Sequence, residues 1–166
     1  MFGFIKRLLG YEEISAAAIR HSSKGEYTTT NRLKSGGHGQ EAIDYMQKKN
    51  IAYSIIKVYS NGVRVGYVPN HVNRKKRSGL NQSWFPKEWN GKTIKRAGQY
   101  VAKGKKYGNG ITKIKVYKNV RVGIKRTNGK VATIFPLSDQ TRSIKYGKQR
   151  IAKKTGRRTY GRQRRG

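Results

Sequence analysis

The stretch Ile51-Ala-Tyr-Ser-Ile-Ile-Lys-Val-Tyr-Ser-Asn-Gly-Val-Arg-Val-Gly-Tyr-Val68 decides the fold class. Two runs rich in β-branched and aromatic residues, Ile51–Tyr59 and Val63–Val68, flank Ser60-Asn61-Gly62. Asn-Gly between such runs is the strongest short-range hairpin signal, because a two-residue turn needs φ > 0 at both central positions. Downstream, a helix is expected to start after Asn90 and run to about Ala102, with Ile94, Ala97 and Tyr100/Val101 on one face. Strands are expected at Ile111–Tyr117, Val120–Arg126 and Val131–Phe135, with Asn128-Gly129 closing the second turn of that meander. Upstream, Ala42, Ile43 and Met46 recur at helical spacing in Gln40–Lys49, and Ile14, Ala17, Ala18 and Ile19 suggest a short helix in Tyr11–Ile19. Ser22–Gly39, rich in Ser, Thr, Asn and Gly, reads as loop. N-terminal helices followed by antiparallel strands with an intervening helix make an α+β protein. The segment Tyr59-Ser-Asn-Gly-Val-Arg-Val-Gly66 is echoed by Tyr117-Lys-Asn-Val-Arg-Val-Gly123, which reads as shared hairpin chemistry, since repeat architectures need at least three units.

Charge bounds the partners. The chain has 166 residues, with 39 Lys and Arg against 7 Asp and Glu and a net charge of +32. Self-repulsion of that size disfavours a compact state unless a polyanion offsets it. The length suits one domain and a tail. Residues 141–166 hold 11 Lys and Arg and no acid, leaving 28 basic and 7 acidic residues, or +21, in residues 1–140. Residues 1–140 are therefore expected to form the folded domain and residues 141–166 a flexible basic arm. The absence of Cys excludes disulfides, thiolate metal sites and a cysteine nucleophile. Met1–Leu9 is interrupted by Lys6 and Arg7 and is too short to span a bilayer, and it lacks signal-peptide features. Neither a signal peptide nor a membrane partner is expected.

Three histidines carry the chemistry. His38 lies in Gly36-Gly37-His38-Gly39, just before a predicted helix, where glycines permit close approach of a ligand to the backbone. Taken alone, the motif also suits an ordinary loop with an exposed histidine. His21 sits at a helix end, a place the helix dipole favours for histidine in any case. His71 follows Val68-Pro69-Asn70 at a strand end and equally suits a surface position. Scattered histidines without Cys do not match metal-ligand spacing, so no cofactor or metal is expected. Seven acids leave little for paired-carboxylate or two-metal chemistry. A phosphodiester would then have to be cut by His and Lys, which points to RNA, whose 2′-OH is the nucleophile. Ser83-Trp84-Phe85-Pro86-Lys87-Glu88-Trp89 could stack on bases or plug a core short of aliphatics. Arg74-Lys75-Lys76-Arg77 is a solvated surface or a phosphate contact.

These pieces occur in an order that resembles the bacterial EndoU ribonuclease domain. His21 before Gly25-Glu26, then Gly36-Gly37-His38, is similar to its opening. Ser83–Trp89 resembles its Ser/Thr-x-Phe-Pro-x-x-Trp motif, and Thr133-Ile134-Phe135-Pro136 its closing Thr-x-Tyr-Pro. The resemblance spans about residues 18–136. It implies an EndoU-like fold and metal-independent RNA cleavage to a 2′,3′-cyclic phosphate. It carries the catalytic roles onto His38, His21 and Thr133, and a lysine role onto Lys76, because Asn81-Gln82 stands where the family has its lysine. His71 is the alternative acid or base. RNA contacts are expected from Lys75, Arg77, Ser83, Trp84 and Phe135, the last standing where many members have Tyr. The resemblance further implies a bacterial toxin acting in the cytoplasm of a target cell, on RNA with tRNA as one candidate, and guarded by an acidic immunity protein. The competing readings are a non-catalytic RNA-binding protein of ribosomal type, supported by the charge, and a DNA-binding architectural protein, for which no helix-turn-helix or zinc-finger pattern is present.

Overall fold

Helix α1 (Ala16–Ser23) begins at Ser15, whose Oγ accepts a hydrogen bond from the Ala18 N–H at 3.1 Å. The apolar spacing predicted a start at Tyr11; the cap sets the boundary instead, because Ser15 in extended conformation satisfies a donor that the helix start leaves free. The structure, a computed structural model, describes residues 10–141 and the strand at Lys154–Tyr160. The stretch read as loop contains a small antiparallel ladder of β1 (Glu26–Tyr27) and β2 (Leu33–Ser35). Helix α2 (Gln40–Lys48) follows from Gly39, and helix α3 (Gly91–Ala102) starts where Asn90 Oδ1 accepts from the Thr93 N–H.

Two further sheets complete the α+β fold. One has the order β5-β4-β3-β9, from β3 (Ser54–Tyr59), β4 (Arg64–Tyr67), β5 (Gln82–Trp84) and β9 (Lys154–Tyr160). The other is the expected meander of β6 (Lys113–Tyr117), β7 (Val120–Thr127) and β8 (Lys130–Pro136). Seven residues of the segment expected as a basic arm thus run antiparallel to β3. The rest of that arm beyond residue 141 lies outside the described residues. Among the described residues no helix is long and apolar enough to cross a membrane.

The turns explain the sequence echo. In the first copy Gly62 alone has positive φ, at 93°, and the Tyr59 N–H donates to Val63 O across a three-residue loop. The expected two-residue Asn-Gly turn is absent there, because the Asn61 side chain takes the Val63 N–H and reaches across to Asn119 O and Gln140. The second copy lacks the glycine and closes in two residues, Lys118 and Asn119, at φ 47° and 64°. One deleted residue converts one hairpin class into the other. Asn128-Gly129, at φ 52° and 76°, does form the expected two-residue turn.

Two apolar clusters hold the elements together. The larger joins α1 and α3 to the meander through Ile14, Ala18, Ile94, Val101, Val122 and Ile134. The smaller packs Ala42, Ile43 and Met46 of α2 against Ile55, Val68 and Leu33. Strand β5 belongs to both: Trp84 enters the smaller cluster, and Phe85, next in the chain, enters the larger and stacks on Trp89 at 5.0 Å. Successive side chains of an extended segment point to opposite faces, so two adjacent aromatics serve two cores. Ser83 of the same strand lines the polar cleft.

Candidate active site

A glycine corner brings two histidines together. Gly36 and Gly37 both have positive φ, 66° and 74°, and turn the chain back onto the end of α1. The N–H groups of Gly37, His38 and Gly39 then donate in sequence to the carbonyls of His21, Ser22 and Ser23. A Cβ at Gly36 would sit 2.0 Å from His21 O, so the approach requires glycine. Three backbone bonds thereby hold the His38 segment against the turn that carries His21.

The cleft so formed has a volume of about 420 Å³. His21, His38, His71, Lys76, Ser83, Thr133 and Phe135 all line it, so the structure gathers seven of the sequence-derived site residues into one place. Lys34 and Lys125 also line it, and no Asp or Glu among the described residues does. No group of three or more His, Asp and Glu side chains suited to a metal ion occurs among the described residues.

The three rings differ in state. His21 Nδ1 lies 3.2 Å from Glu26 Oε1, and because a carboxylate only accepts, Nδ1 is the donor. That bond is the main cause holding the Glu26 carboxyl below its usual range. His21 Nε2 lies 3.1 Å from Thr133 Oγ1. His38 is 5% exposed, and its Nδ1 donates to Ser83 O at 2.8 Å, which leaves the lone pair on Nε2. Burial first, and then the charge of Lys76, pushes its pKa down to about 3, so the ring is a neutral imidazole. His71 Nδ1 accepts the Asn73 N–H at 2.9 Å, which puts its proton on Nε2, a buried atom with no partner. Burial, then Lys76 and Arg77, lower its pKa to about 4. In this tautomer the Nδ1 lone pair is engaged and Nε2 carries the proton.

Lys76 comes from a 3-10 turn, Arg74–Arg77, started by the Asn73 side chain. Its Nζ donates to Gln82 Oε1 at 3.3 Å, and burial followed by Lys125 lowers its pKa. Gln82, standing where the family's lysine was expected, is fully buried and donates through Nε2 to the carbonyls of Gly36 and Gly37. It joins Lys76 to the glycine corner, a role sequence reading missed. Ser83 positions two neighbours: its carbonyl holds His38, and its Oγ donates to Pro136 O at 2.7 Å, tying β5 to β8. The Phe135 ring centre lies 5.9 Å from that of His38, and Lys125 Nζ stands 5.9 Å from the same Phe135 centre.

Three expected contacts fall elsewhere. Trp84 has no exposed surface and meets Tyr53 edge-on inside the smaller core, so it cannot stack on a base. The shortage of aliphatics around α2 is met by that ring. Lys75 is exposed but does not border the cleft. Arg77 Nε donates to His71 O at 2.7 Å, bracing the loop rather than lining the site. Lys125 was missed for a definable reason. A two-residue turn at 128–129 would pair it with Ala132, but a bulge shifts the register and sets it opposite Thr133.

Such a cleft offers an imidazole able to take a proton, a second imidazole backed by a carboxylate, a hydroxyl and several cations, which together suit acid–base chemistry on a phosphodiester. No curated protein and no solved structure matches the chain. A family model described as bacterial EndoU nuclease matches residues 15–138, a span that begins at the α1 cap and contains every residue lining the cleft. With most of its length matched, this chain belongs to the bacterial EndoU nuclease family.

Proposed function

We propose that this nuclease is an endoribonuclease that cuts RNA without a metal, using the substrate's own 2′-OH. The observation that carries the reading is the pairing of two unlike imidazoles in one cleft lined by no carboxylate of the described residues: His38 neutral with Nε2 unprotonated, His21 supported by Glu26. His38 Nε2 takes the 2′-OH proton, and O2′ forms a bond to phosphorus. The bond from phosphorus to O5′ breaks, and His21 gives that oxygen a proton. The products are a 2′,3′-cyclic phosphate and a free 5′-OH. Lys76 and Thr133 stabilise charge on the non-bridging oxygens. In the free enzyme burial, and after it the charge of Lys76, keep His38 from being protonated. A bound phosphodiester, an anion, offsets that cation and raises the ring's proton affinity when the 2′-OH arrives. His71 is a neutral donor beside these groups and takes no part in proton transfer.

The test is cleavage of an oligoribonucleotide in EDTA, beside a copy with 2′-deoxyribose at the cut. Activity in EDTA on the ribose form alone is expected. His38→Ala and His21→Ala should each lower the rate by about 10²–10⁴-fold. Loss of activity in EDTA, or cutting of the deoxy copy, overturns the mechanism. RNA binding without cleavage would favour the non-catalytic reading.

A toxin role and an acidic protein partner belong to the same proposal. They are supported by the family resemblance and by the +32 charge, which steers an acidic protein to the basic cleft. Growth arrest on expression of the parent, relieved by His38→Ala, is the expected outcome. Normal growth with abundant soluble parent would count against it.

A further inference from the structure

The main cleft ends at His21 and Thr133, and a second groove of about 400 Å³ begins at the same pair. The hydrogen bond between them, 3.1 Å long, forms the wall that the two grooves share. On the far side the groove runs between the start of α1 and the β7–β8 hairpin, lined by Ser15, Ala17, Thr127, Lys130 and Ala132. Its volume is within the usual range for a small-ligand site, about 300–1,000 Å³.

In an in-line displacement the attacking and departing oxygens lie on opposite sides of phosphorus, so the groups that serve them do too. The nucleotide that supplies O2′ then lies on the His38 side, and the nucleotide that carries O5′ lies on the His21 side. We propose that the second groove holds the nucleotide 3′ to the cut, so that RNA crosses the His21–Thr133 wall with its 5′ part in the main cleft and its 3′ part over the α1 start. This rests on the assignment of His38 as base and His21 as acid. Ala17 and Ala132 offer the sugar or base an apolar surface, and Ser15 and Thr127 offer hydroxyls. Lys130, exposed at the first position of β8, receives the phosphate on the 3′ side of that nucleotide. Glu26 also borders the groove, but its carboxylate is engaged by His21 Nδ1 and Ser35 Oγ, each at 3.2 Å. The phosphate therefore belongs at the Lys130 end.

The test uses dinucleotides with 2′-deoxyribose at the cut, so that binding is read without turnover. One carries a terminal 3′-phosphate, one a terminal 5′-phosphate, and one neither. The 3′-phosphate should tighten binding by about fivefold, the ceiling for an exposed ion pair, and Lys130→Glu should abolish that gain. The response to the 5′-phosphate should be the same in parent and variant. Ala17→Trp, at an exposed helical position, should fill the groove and weaken all three dinucleotides while leaving a nucleoside 3′-phosphate, which needs only the main cleft, bound as before. Loss of the 5′-phosphate response in Lys130→Glu would reverse the strand direction and overturn the proposal. Indifference of all ligands to both variants would overturn it as well. If ribose substrates are cut and depend on His21 and His38 while binding ignores both variants, only the groove assignment fails. If binding behaves as stated but nothing is cut, the groove stands and the catalytic reading fails.

Discussion

His38 and His71 are held neutral by the fold, at about 3 and about 4, chiefly through burial and next through Lys76. In the unfolded chain each ring takes a proton near its ordinary value of 6.5. Below that pH the unfolded state binds more protons than the folded one, so these groups favour folding fully above about pH 6.5 and progressively less as pH falls toward their folded values. Each ring contributes a slope of about 1.4 kcal/mol per pH unit in that window. Urea melts at pH 7.5 and pH 5 should show the loss, and His71→Gln should flatten it; an unchanged midpoint would contradict the buried neutral states. Gln82 supplies a second residue-scale expectation. Removing its amide with Gln82→Leu leaves the Gly36 and Gly37 carbonyls and Lys76 without that partner. The expected cost is about 1–3 kcal/mol in a urea melt, with a fall in cleavage rate because Lys76 loses its anchor. Full activity in this variant would show that Lys76 needs no such tether.

The glycine corner and the β7–β8 bulge are the elements that shape the cleft. Gly36→Ala combines a φ of +66° with a Cβ 2.0 Å from His21 O, so it strains the backbone and forces the histidine segments apart. Gly110→Ala carries a similar φ of +75° but meets nothing within 4 Å. The paired substitutions should therefore separate: each loses about 1–2 kcal/mol to backbone strain, but only Gly36→Ala loses activity as well. Equal activity in the two would mean that the spacing of His21 and His38 is not set by the corner. Strand β5 shows a second kind of element logic. It is three residues long, yet it seats Trp84 in one core, lets Phe85 follow into the other, and ties β8 through Ser83.

At the scale of the whole molecule charge dominates. Residues 1–140 carry +21, with Lys34, Lys76 and Lys125 lining the cleft, and residues 141–166 hold 11 more basic residues. Every phosphate that the protein neutralises on single-stranded RNA steepens the salt slope of binding by about 0.7. Removing residues 141–166 should accordingly weaken RNA binding and flatten its salt dependence by more than one such step, while the cleavage positions stay the same. Titrations at several salt concentrations, with mapping of the cut ends, check both. The same truncation removes β9 and leaves the β3 edge unpaired, which should raise self-association measured by light scattering. Glu12, ahead of α1, is tied to β7 through Arg126 by a bidentate pair at 2.6 and 2.8 Å that is mostly buried. Glu12→Gln leaves a buried guanidinium without its anion and should cost about 3–5 kcal/mol in thermal or urea unfolding.

What the sequence determined by itself is local. The cap at Asn90, the turn at Asn128-Gly129, the helical spacing of Ala42, Ile43 and Met46, and the glycines before His38 act over a few residues, so their reading needs no knowledge of the rest of the chain. The order of the motifs also groups His21, His38 and Thr133 in one site without any geometry. Tertiary structure decided what depends on partners far along the chain. Trp84 became core because α2 and β3 pack over it, and Asn73 and burial set the tautomer of His71 and lowered its pKa. Lys125 reached the cleft through a bulge that no local pattern announces, and Gln82 found the Gly36 and Gly37 carbonyls from 46 and 45 residues away. A hydrogen bond or a burial free energy depends on which atoms meet in space, and composition and periodicity carry that only where the atoms are also neighbours in the chain.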